Sequence, residues 1–566
     1  MDWLLDSAIK VESPADIARQ ILAARGFERP QIDEFFQLDY ERLIALSEGL
    51  PDLDLAADRI AQAIEFRHKI VVYGDYDIDG ITATALMFQA LHDAGADVSI
   101  YIPDRFEEGY GLNSSALEFL VSNGAQLVIT VDCGITSVEE IAQAAKLGLD
   151  IIVTDHHGLA EQLPERAVAL INPKRVPDSP LYEIAGVGVA YLLVVGLQQR
   201  GIIGLAAGRE KWLLDLVALG TICDVVPLVG ANRLLAHYGL IVMRQTRRCG
   251  LRALAEVSGV DLKQVRASEV AFRFGPRLNA AGRLEHARQA LDLLLVEDDV
   301  EAKALADKLQ QLNADRQLLT EATYNEAVEL LKDKDDDRVV VLANENWSHG
   351  IIGIVASRVV ERTGKPTILL QIKDGVAKGS ARSPKGFSII EAITRQSQYL
   401  DRFGGHAYAA GMTLAQDKLA DFVAALNADE LTRQFAPTRR QLVIDGIVAP
   451  KLIDTDTYEA MQLLAPFGQA NSEPIFMSSL RVISFRPVGT DLSHLQVKFS
   501  APSGVVSAIA FRKAGNWPWL RENILVDVVY TLDKNEWQGV VRVQLLIHDM
   551  RAHDDGTGIQ ESDTTI

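Results

Sequence analysis

Cysteine is scarce: Cys133, Cys223 and Cys249 are the only three in 566 residues, and no C-x-x-C pair exists. That excludes a disulfide framework and a cysteine-built zinc site, and it predicts a reducing, cytoplasmic setting. Long apolar runs are also missing. The longest, around Ala185 to Leu197, falls short of the ~20 residues that span a bilayer. It predicts a buried helix, and no membrane association is expected. The amino terminus, Met1-Asp2-Trp3-Leu4-Leu5-Asp6, lacks the basic stretch of a signal peptide. No G-x-G-x-x-G turn follows the first strand-like run, which argues against a dinucleotide-binding domain. Positive charge is in deficit: 56 Lys and Arg stand against 77 Asp and Glu, a net charge of -21. The distribution matters more than the sum. Between Leu262 and Arg283, the bases Lys263, Arg266, Arg273, Arg277 and Arg283 meet one acid, Glu269. From Arg338 to Arg402, ten Lys or Arg meet five Asp or Glu. Such patches on an acidic chain suit either a polyanion held in a focused groove or an ordinary solvated face.

What is present predicts an α/β multidomain protein, since 566 residues exceed one core. Residues 1–60 are expected to form a helical cap on the first domain, with Ser13 as N-cap and Pro14 at the first helical position. Residues 61–298 predict a parallel-sheet domain. Its strand-like runs Ile70–Tyr73, Val98–Ile102, Leu127–Val131 and Ile151–Thr154 alternate with the helical patterns 81–94, 115–123 and 137–147. Residues 299–337 predict one or two connecting helices. A smaller α/β domain is expected over 338–430, with glycine-bearing loops at Lys378–Ser383 and Phe403–Ala407. Short alternating runs over 431–550 predict an OB-like β-barrel, and 551–566 a disordered acidic tail.

The most informative stretch is Gly74-Asp75-Tyr76-Asp77-Ile78-Asp79-Gly80. Three carboxylates at alternate positions after an apolar strand repel one another unless a cation neutralises them. Parallel strands deliver their carboxyl ends to one edge. The later strand ends carry Asp132, then Asp155-His156-His157, and a following helical region carries Asp224. Their convergence predicts a hard, oxygen-rich site with one imidazole ligand, suited to two Mn²⁺ or Mg²⁺ ions. His157 would then face the substrate. Arg277 and Arg283 flank Asn279 in a segment loosened by Gly275, Pro276 and Gly282. These arginines either hold phosphate or bridge two domains. Ser380, Arg382, Gly404, Gly405 and His406 supply a hydroxyl, cations and backbone amides suited to an anion. Trp517, Trp519 and Trp537 either stack bases or fill the barrel.

These motifs resemble the DHH phosphoesterase superfamily, named for a triplet such as Asp155-His156-His157. Asp75–Gly80, Val131–Gly134, Asp155–His157 and Asp224–Pro227 match its four motifs in order, and Gly404-Gly405-His406 is similar to the signature of its DHHA1 domain. Within the superfamily, four stretches resemble the bacterial single-strand-specific 5′→3′ exonucleases: Gly74–Asp77, Arg277–Arg283, Ser348–Ala356 and Pro466–Gly468. The resemblance covers nearly the whole chain. It implies one ion on Asp77 and Asp132 with Asp75 close by, and a second on Asp79, Asp132, His156 and Asp224. It also implies phosphate contacts from His157, Arg277, Asn279, Arg283, Arg382 and His406. The implied activity is hydrolysis of single-stranded DNA to 5′-mononucleotides in repair and recombination. The implied partners are a single-strand-binding protein and a helicase, and a monomer is expected. Two alternatives remain at this point: a phosphodiesterase of short oligonucleotides or cyclic dinucleotides, and a non-catalytic nucleic-acid scaffold.

Overall fold

The strand Lys69–Gly74 is buried almost along its length, as its unbroken apolar run requires. It lies second in a five-stranded parallel sheet. Val98–Tyr101 pairs on one side and Ala125–Val131 on the other, and Asp150–Thr154 and Ala169–Ile171 extend the second side. The order is therefore 2-1-3-4-5, and the chain reverses direction across the sheet at the carboxyl end of Lys69–Gly74. Such a switch point opens a crevice outside the strand ends.

The structure is a computed structural model. It describes all residues except 1, 6–7, 106–107, 110, 205–207, 335–336, 437–440, 503, 538–539 and 554–566. It divides into two compact units: residues 40–226 with 234–440, and residues 1–39 with 227–233 and 441–566.

In the larger unit the helix Ile78–Asp93 leaves the first strand and packs against Gly186–Gln199 and Leu214–Cys223. Gly186–Gln199 is the buried apolar helix that the sequence indicates. One helix of 32 residues, Asp299–Leu330, follows the sheet domain. It is about 48 Å long at 1.5 Å per residue, and it packs on Gly275–Leu284, Cys249–Ser258 and His349–Thr363. The second sheet runs Arg402–His406, Ala409–Ala415, Val376–Arg382, Thr367–Lys373, Val340–Asn344, and is antiparallel except for the last pair.

In the smaller unit the strands Phe476–Val488, His494–Ala501, Gly504–Ala510, Val540–Ala552 and Leu525–Trp537 close into a five-stranded barrel. Its core is filled by alternating residues such as Val482, Val497, Phe499, Val528 and Leu545. Among the described residues, no helix is long and apolar enough to cross a membrane.

Several expectations are corrected. Residues 1–39 do not cap the first domain. Ile9–Val11 pairs in parallel with Gly446–Val448, and Asp2–Leu4 with Gln441–Val443. Ile17, Ile21, Leu22 and Phe35 then pack into the barrel's own core. Three-residue strands are too short to display a period, and their partners lie at the far end of the chain. Ser13 and Pro14 do not start the first helix, which begins at Ile17 after Asp16 in a left-handed conformation. Residues 378–382 and 403–406 are strands rather than loops, because sheet pairing overrides the turn preference of their glycines. The segment around Arg277 is no loosened loop. A π-helical turn at Val270–Phe274 runs directly into the helix Gly275–Leu284, and Pro276, which has no N–H to donate, sits just past that widened turn. Trp517 is buried and donates to Asp549, and Trp519 packs partly buried against the barrel core. The core role fits both better than base stacking. The side chain of Trp537 and the tail beyond residue 553 lie outside the described residues.

Candidate active site

Three strand ends and three helix termini build the site. Asp75 follows the first strand directly. Asp77 is the N-cap of the helix Ile78–Asp93, its carboxylate accepting from Gly80 N at 3.1 Å. Asp79, in the first turn, is pinned from outside. It accepts from Gly186 N at 2.6 Å and Val187 N at 2.8 Å, two amides at the start of the helix Gly186–Gln199. A helix N-terminus offers unpaired N–H groups and partial positive charge to such a carboxylate. Gly186 is required there: a Cβ would stand 2.6 Å from Asp132 Oδ1. Asp132 follows the third strand with φ 62°, a left-handed conformation that turns its carboxylate into the crevice. Asp224 sits at the carboxyl end of Leu214–Cys223.

His156 Nε2 lies 3.1 Å from Asp132 Oδ1 and 3.8 Å from both Asp79 Oδ2 and Asp224 Oδ2. Donor atoms of Asp79, His156 and Asp224 lie within 4.8 Å of one another, as do those of Asp75, Asp77 and Asp132. The sequence therefore names all six residues of two adjacent clusters, and Asp132 joins them through its contact with His156.

The electrostatics fit a divalent pair. Burial first, and the neighbouring carboxylates second, push Asp75, Asp79 and Asp132 well above the usual carboxylate range. Asp224 is pushed up to about 7, by burial and then by Asp77. Asp75 Oδ1 is buried without a hydrogen-bond partner among the described residues. Burial lowers His156 to about 4, which keeps its imidazole neutral as a ligand must be. An oxygen-rich set with one neutral imidazole, short of compensating charge, matches Mn²⁺ or Mg²⁺.

Asp155 has a different task from its neighbours. Its Oδ2 accepts from Ile135 N at 2.9 Å, and its Oδ1 from the amides of His156 at 2.7 Å and His157 at 3.0 Å. His157 Nδ1 lies 2.8 Å from the same Oδ1. Burial opposes ionisation of both groups, yet the pair wins. Asp155 is held low, and His157 is raised to about 9 by its bond to Asp155. At neutral pH His157 is thus a cation beside Asp132, at 3.8 Å.

A cationic wall faces this acidic one within the same unit. Arg105, Arg283, His349, Ser380, Arg382, Gly404, Gly405 and Gly411 line a cavity of about 280 Å³. Arg283 donates to Gly350 O at 3.2 Å, and burial, with Arg105 next, lowers it to about 10. Arg382 Nη1 donates to Ser380 Oγ at 3.0 Å and to Ala381 O at 2.7 Å. His406 ends the edge strand Arg402–His406 with its side chain exposed, and partial desolvation, then Arg382, lower its pKa. Arg277 points elsewhere: it donates to Gln310 on the long helix at 2.7 Å and to Arg273 O at 2.6 Å. These bonds tie Arg277 to the preceding turn and to the connecting helix. Asn279 is half-buried on the same helix.

Sequence reasoning missed Arg105 and His349. Arg105 lies 5.0 Å from the centroid of the Tyr76 ring, between the two acidic positions Asp75 and Asp77. A lone arginine in an acidic stretch carries no local signal. His349 opens the helix His349–Thr363, and its Nδ1 is buried without a hydrogen-bond partner among the described residues. Its position in the Ser348–Ala356 stretch was the available hint.

Residues 69–221 match the DHH family N-terminal domain, 327–429 the DHHA1 domain and 444–549 the RecJ OB domain. The single-stranded-DNA-specific exonuclease RecJ of Bacillus subtilis is 37% identical over 542 residues, covering 94% of this chain and 67% of that protein. The Escherichia coli protein of the same name is 35% identical over 567 residues, covering 94% and 95%. The crystal structure of RecJ in complex with Mn²⁺ from Thermus thermophilus superposes with a TM-score of 0.80 at 32% identity, covering 98% of this chain and 80% of that one. A Mg²⁺ complex of the same protein gives 0.74.

Proposed function

This chain belongs to the RecJ family, whose relatives are named single-stranded-DNA-specific exonucleases, and on that premise we propose that it hydrolyses single-stranded DNA from the 5′ end, releasing 5′-mononucleotides. It is a metal-dependent hydrolase with Mn²⁺ or Mg²⁺ as cofactor. One observation carries the assignment of its site. Asp75, Asp77, Asp79, Asp132, Asp224 and His156 gather at the switch point of a parallel sheet, and a cation-lined cavity forms the facing wall.

Asp77, Asp79, Asp132, His156 and Asp224 would hold two divalent ions, with Asp75 supporting the first cluster. When bound, the ions supply Lewis acidity and an activated water. The chain's own residues do the rest. The amides of Gly186 and Val187 fix Asp79 in one rotamer. Asp155 orients His157 and keeps it protonated, so that its outer nitrogen donates to a phosphate oxygen of the scissile group. Arg283, Arg105, Arg382 and Ser380 hold the phosphate at the strand's end through guanidinium forks and a hydroxyl. No base-reading element is present among these residues, so cleavage is sequence-independent. The OB-like barrel supplies a further surface for the unpaired strand. The setting is DNA repair and recombination, with a single-strand-binding protein and a helicase supplying substrate to a monomeric enzyme.

The test uses the purified chain with 5′-labelled and 3′-labelled single strands, duplex and a dinucleotide, each with Mn²⁺, with Mg²⁺ and with chelator. Metal-dependent release of mononucleotide from the 5′ end of single strands is expected. Release from the dinucleotide alone would favour the short-substrate phosphodiesterase, and binding without cleavage the scaffold.

A further inference from the structure

A second cavity in the larger unit, of about 640 Å³, lies away from the metal clusters. Its volume is within the range of small-molecule sites. Four stretches wall it: the end of the helix Ile78–Asp93, the turn Glu210–Leu213 with Arg209 before it, residues 247–249 and residues 294–297. Asp79 stands in the first turn of that helix and His92 in the last, about 20 Å apart at 1.5 Å per residue. No residue of the metal clusters or of the cationic wall lines this cavity.

The polar groups around it are held in place without being used up. Asp215 is buried and accepts from Thr246 Oγ1 at 2.7 Å, Leu216 N at 2.8 Å and Arg248 Nε at 3.0 Å. That anchors Arg248, whose terminal nitrogens make no hydrogen bond among the described residues. Arg247 lies over the Trp212 ring, 4.4 Å from its centroid, which fixes the guanidinium by a cation–π contact. Arg247 has no carboxylate partner among the described residues. Of the other acids, Asp93 pairs with Arg209 at 3.1 Å and Glu297 is exposed. Two neighbouring guanidiniums thus keep donors in reserve, and such forks match phosphate oxygens. Trp212 is 37% exposed, an indole on the cavity wall rather than in the core. Gln89 also lines the cavity, and its Oε1 is buried without a hydrogen-bond partner among the described residues. A buried acceptor left unpaired is costly, and a ligand N–H or O–H relieves it.

We propose that this cavity is a nucleotide-binding site separate from the catalytic cleft. The phosphate of a nucleoside monophosphate seats on Arg247 and Arg248. Its base lies against the Trp212–Arg247 stack, and a sugar hydroxyl or base N–H donates to Gln89. A bare anion leaves the indole and the amide unmatched, and a carboxylate side chain brings no donor for Gln89. The site involves neither metal nor strand cleavage, so it stands apart from the proposed reaction.

Equilibrium dialysis on the full chain, with Mn²⁺ and with chelator, measures binding of dAMP, inorganic phosphate and a hexa-aspartate peptide. The proteins are wild type, Arg247→Ala, Gln89→Leu and, to remove a phosphate contact of the cleft, Arg382→Ala. Wild type and Arg382→Ala should both bind dAMP in chelator. Arg247→Ala should weaken dAMP and phosphate about tenfold or more, as loss of a charge-assisted hydrogen bond does. Gln89→Leu should weaken dAMP about threefold or more and leave phosphate unchanged, with a melting temperature no lower than wild type, because an unpaired buried acceptor is removed. No uptake at millimolar dAMP overturns the proposal, and so does undiminished dAMP binding in Arg247→Ala. Phosphate bound as tightly as dAMP would reduce the cavity to an anion site. Tighter binding of the peptide would assign an acidic protein partner instead, and either result sinks the nucleotide reading. Cleavage is not read, so failure of the functional assignment is seen separately.

Discussion

At the scale of single residues, Asp132 is the pivot. It touches His156 of one cluster and shares the other with Asp75 and Asp77. Asp132→Ala should lower kcat at least ~10³-fold, a loss of about 4 kcal/mol of transition-state stabilisation, while single-strand binding measured by anisotropy stays within a few-fold. Retention of a tenth of the activity would contradict the shared role. The raised carboxylates also predict proton release. In the metal-free protein Asp224 titrates at about 7, and Asp75, Asp79 and Asp132 are raised too. An ion binds their deprotonated forms, so protons leave as it enters. Mn²⁺ affinity should therefore climb as pH rises from 6 to 8. The sign for stability is consistent: acids with raised folded-state pKa values weaken the metal-free fold as pH rises above the unfolded values. The melting-temperature gain on adding Mn²⁺ should accordingly be larger at pH 8 than at pH 6. Calorimetry in buffers of different ionisation enthalpy reads the proton count, and a count of zero would contradict the cluster electrostatics. For His157, the bond to Asp155 holds the pKa at about 9. In Asp155→Asn it should drop toward or below ~6.5, the ordinary histidine value, in an NMR titration.

At the scale of elements, two domains of the larger unit meet through glycine. The helix Gly275–Leu284 passes the acidic loop where a Cβ on Gly282 would stand 2.9 Å from Tyr76 O. The next residue, Arg283, receives the start of the helix His349–Thr363, where a Cβ on Gly350 would overlap the Arg283 carbonyl oxygen. Neither obstacle is the end of a flexible side chain. Gly350→Ala should cost about 1–3 kcal/mol, as overpacking does, and should reduce cleavage because Arg283 shifts. A denaturant midpoint equal to wild type would show that this contact yields freely. The sequence displayed the glycines of 275–282 and of 348–353 but not what they approach. Pro276 and two glycines read as a loose segment, whereas tertiary packing selects a helix in which small residues allow close contact.

At the scale of the whole molecule, the chain returns its amino terminus to its carboxyl-terminal barrel. Arg25 donates to Asp445 at 2.8 Å, and Ile9 N to Asp445 O at 2.9 Å. Arg233 from the middle of the chain donates to Phe35 O at 2.7 Å and to Ala465 O at 2.9 Å. Deleting residues 1–39 removes two strands from paired neighbours and uncovers Phe476, Met461 and their surroundings. The truncated chain should show rapid proteolysis within 441–553, and the isolated fragment 441–553 should be insoluble. Mn²⁺ affinity of the truncated chain should match the full chain, because no described residue of 1–39 belongs to the metal clusters. Equal protease resistance would refute the pairing as a stabilising feature.

By itself the sequence determined the parallel sheet, the acidic and histidine motifs at its strand ends, and the β-barrel, because each depends on residues close together in the chain: an apolar strand, a carboxylate turn, a period of two. Parallel strands share one polarity, so local motifs at their ends meet without further instruction. Only the tertiary structure decided that Asp155 orients while Asp132 joins the clusters, that Arg277 braces a helix while Arg105 enters the cavity, and that residues 1–39 belong with the barrel. These outcomes turn on which distant surfaces pack together. Packing energy of that kind depends on shape and burial between segments far apart in sequence, and a local pattern holds no record of it.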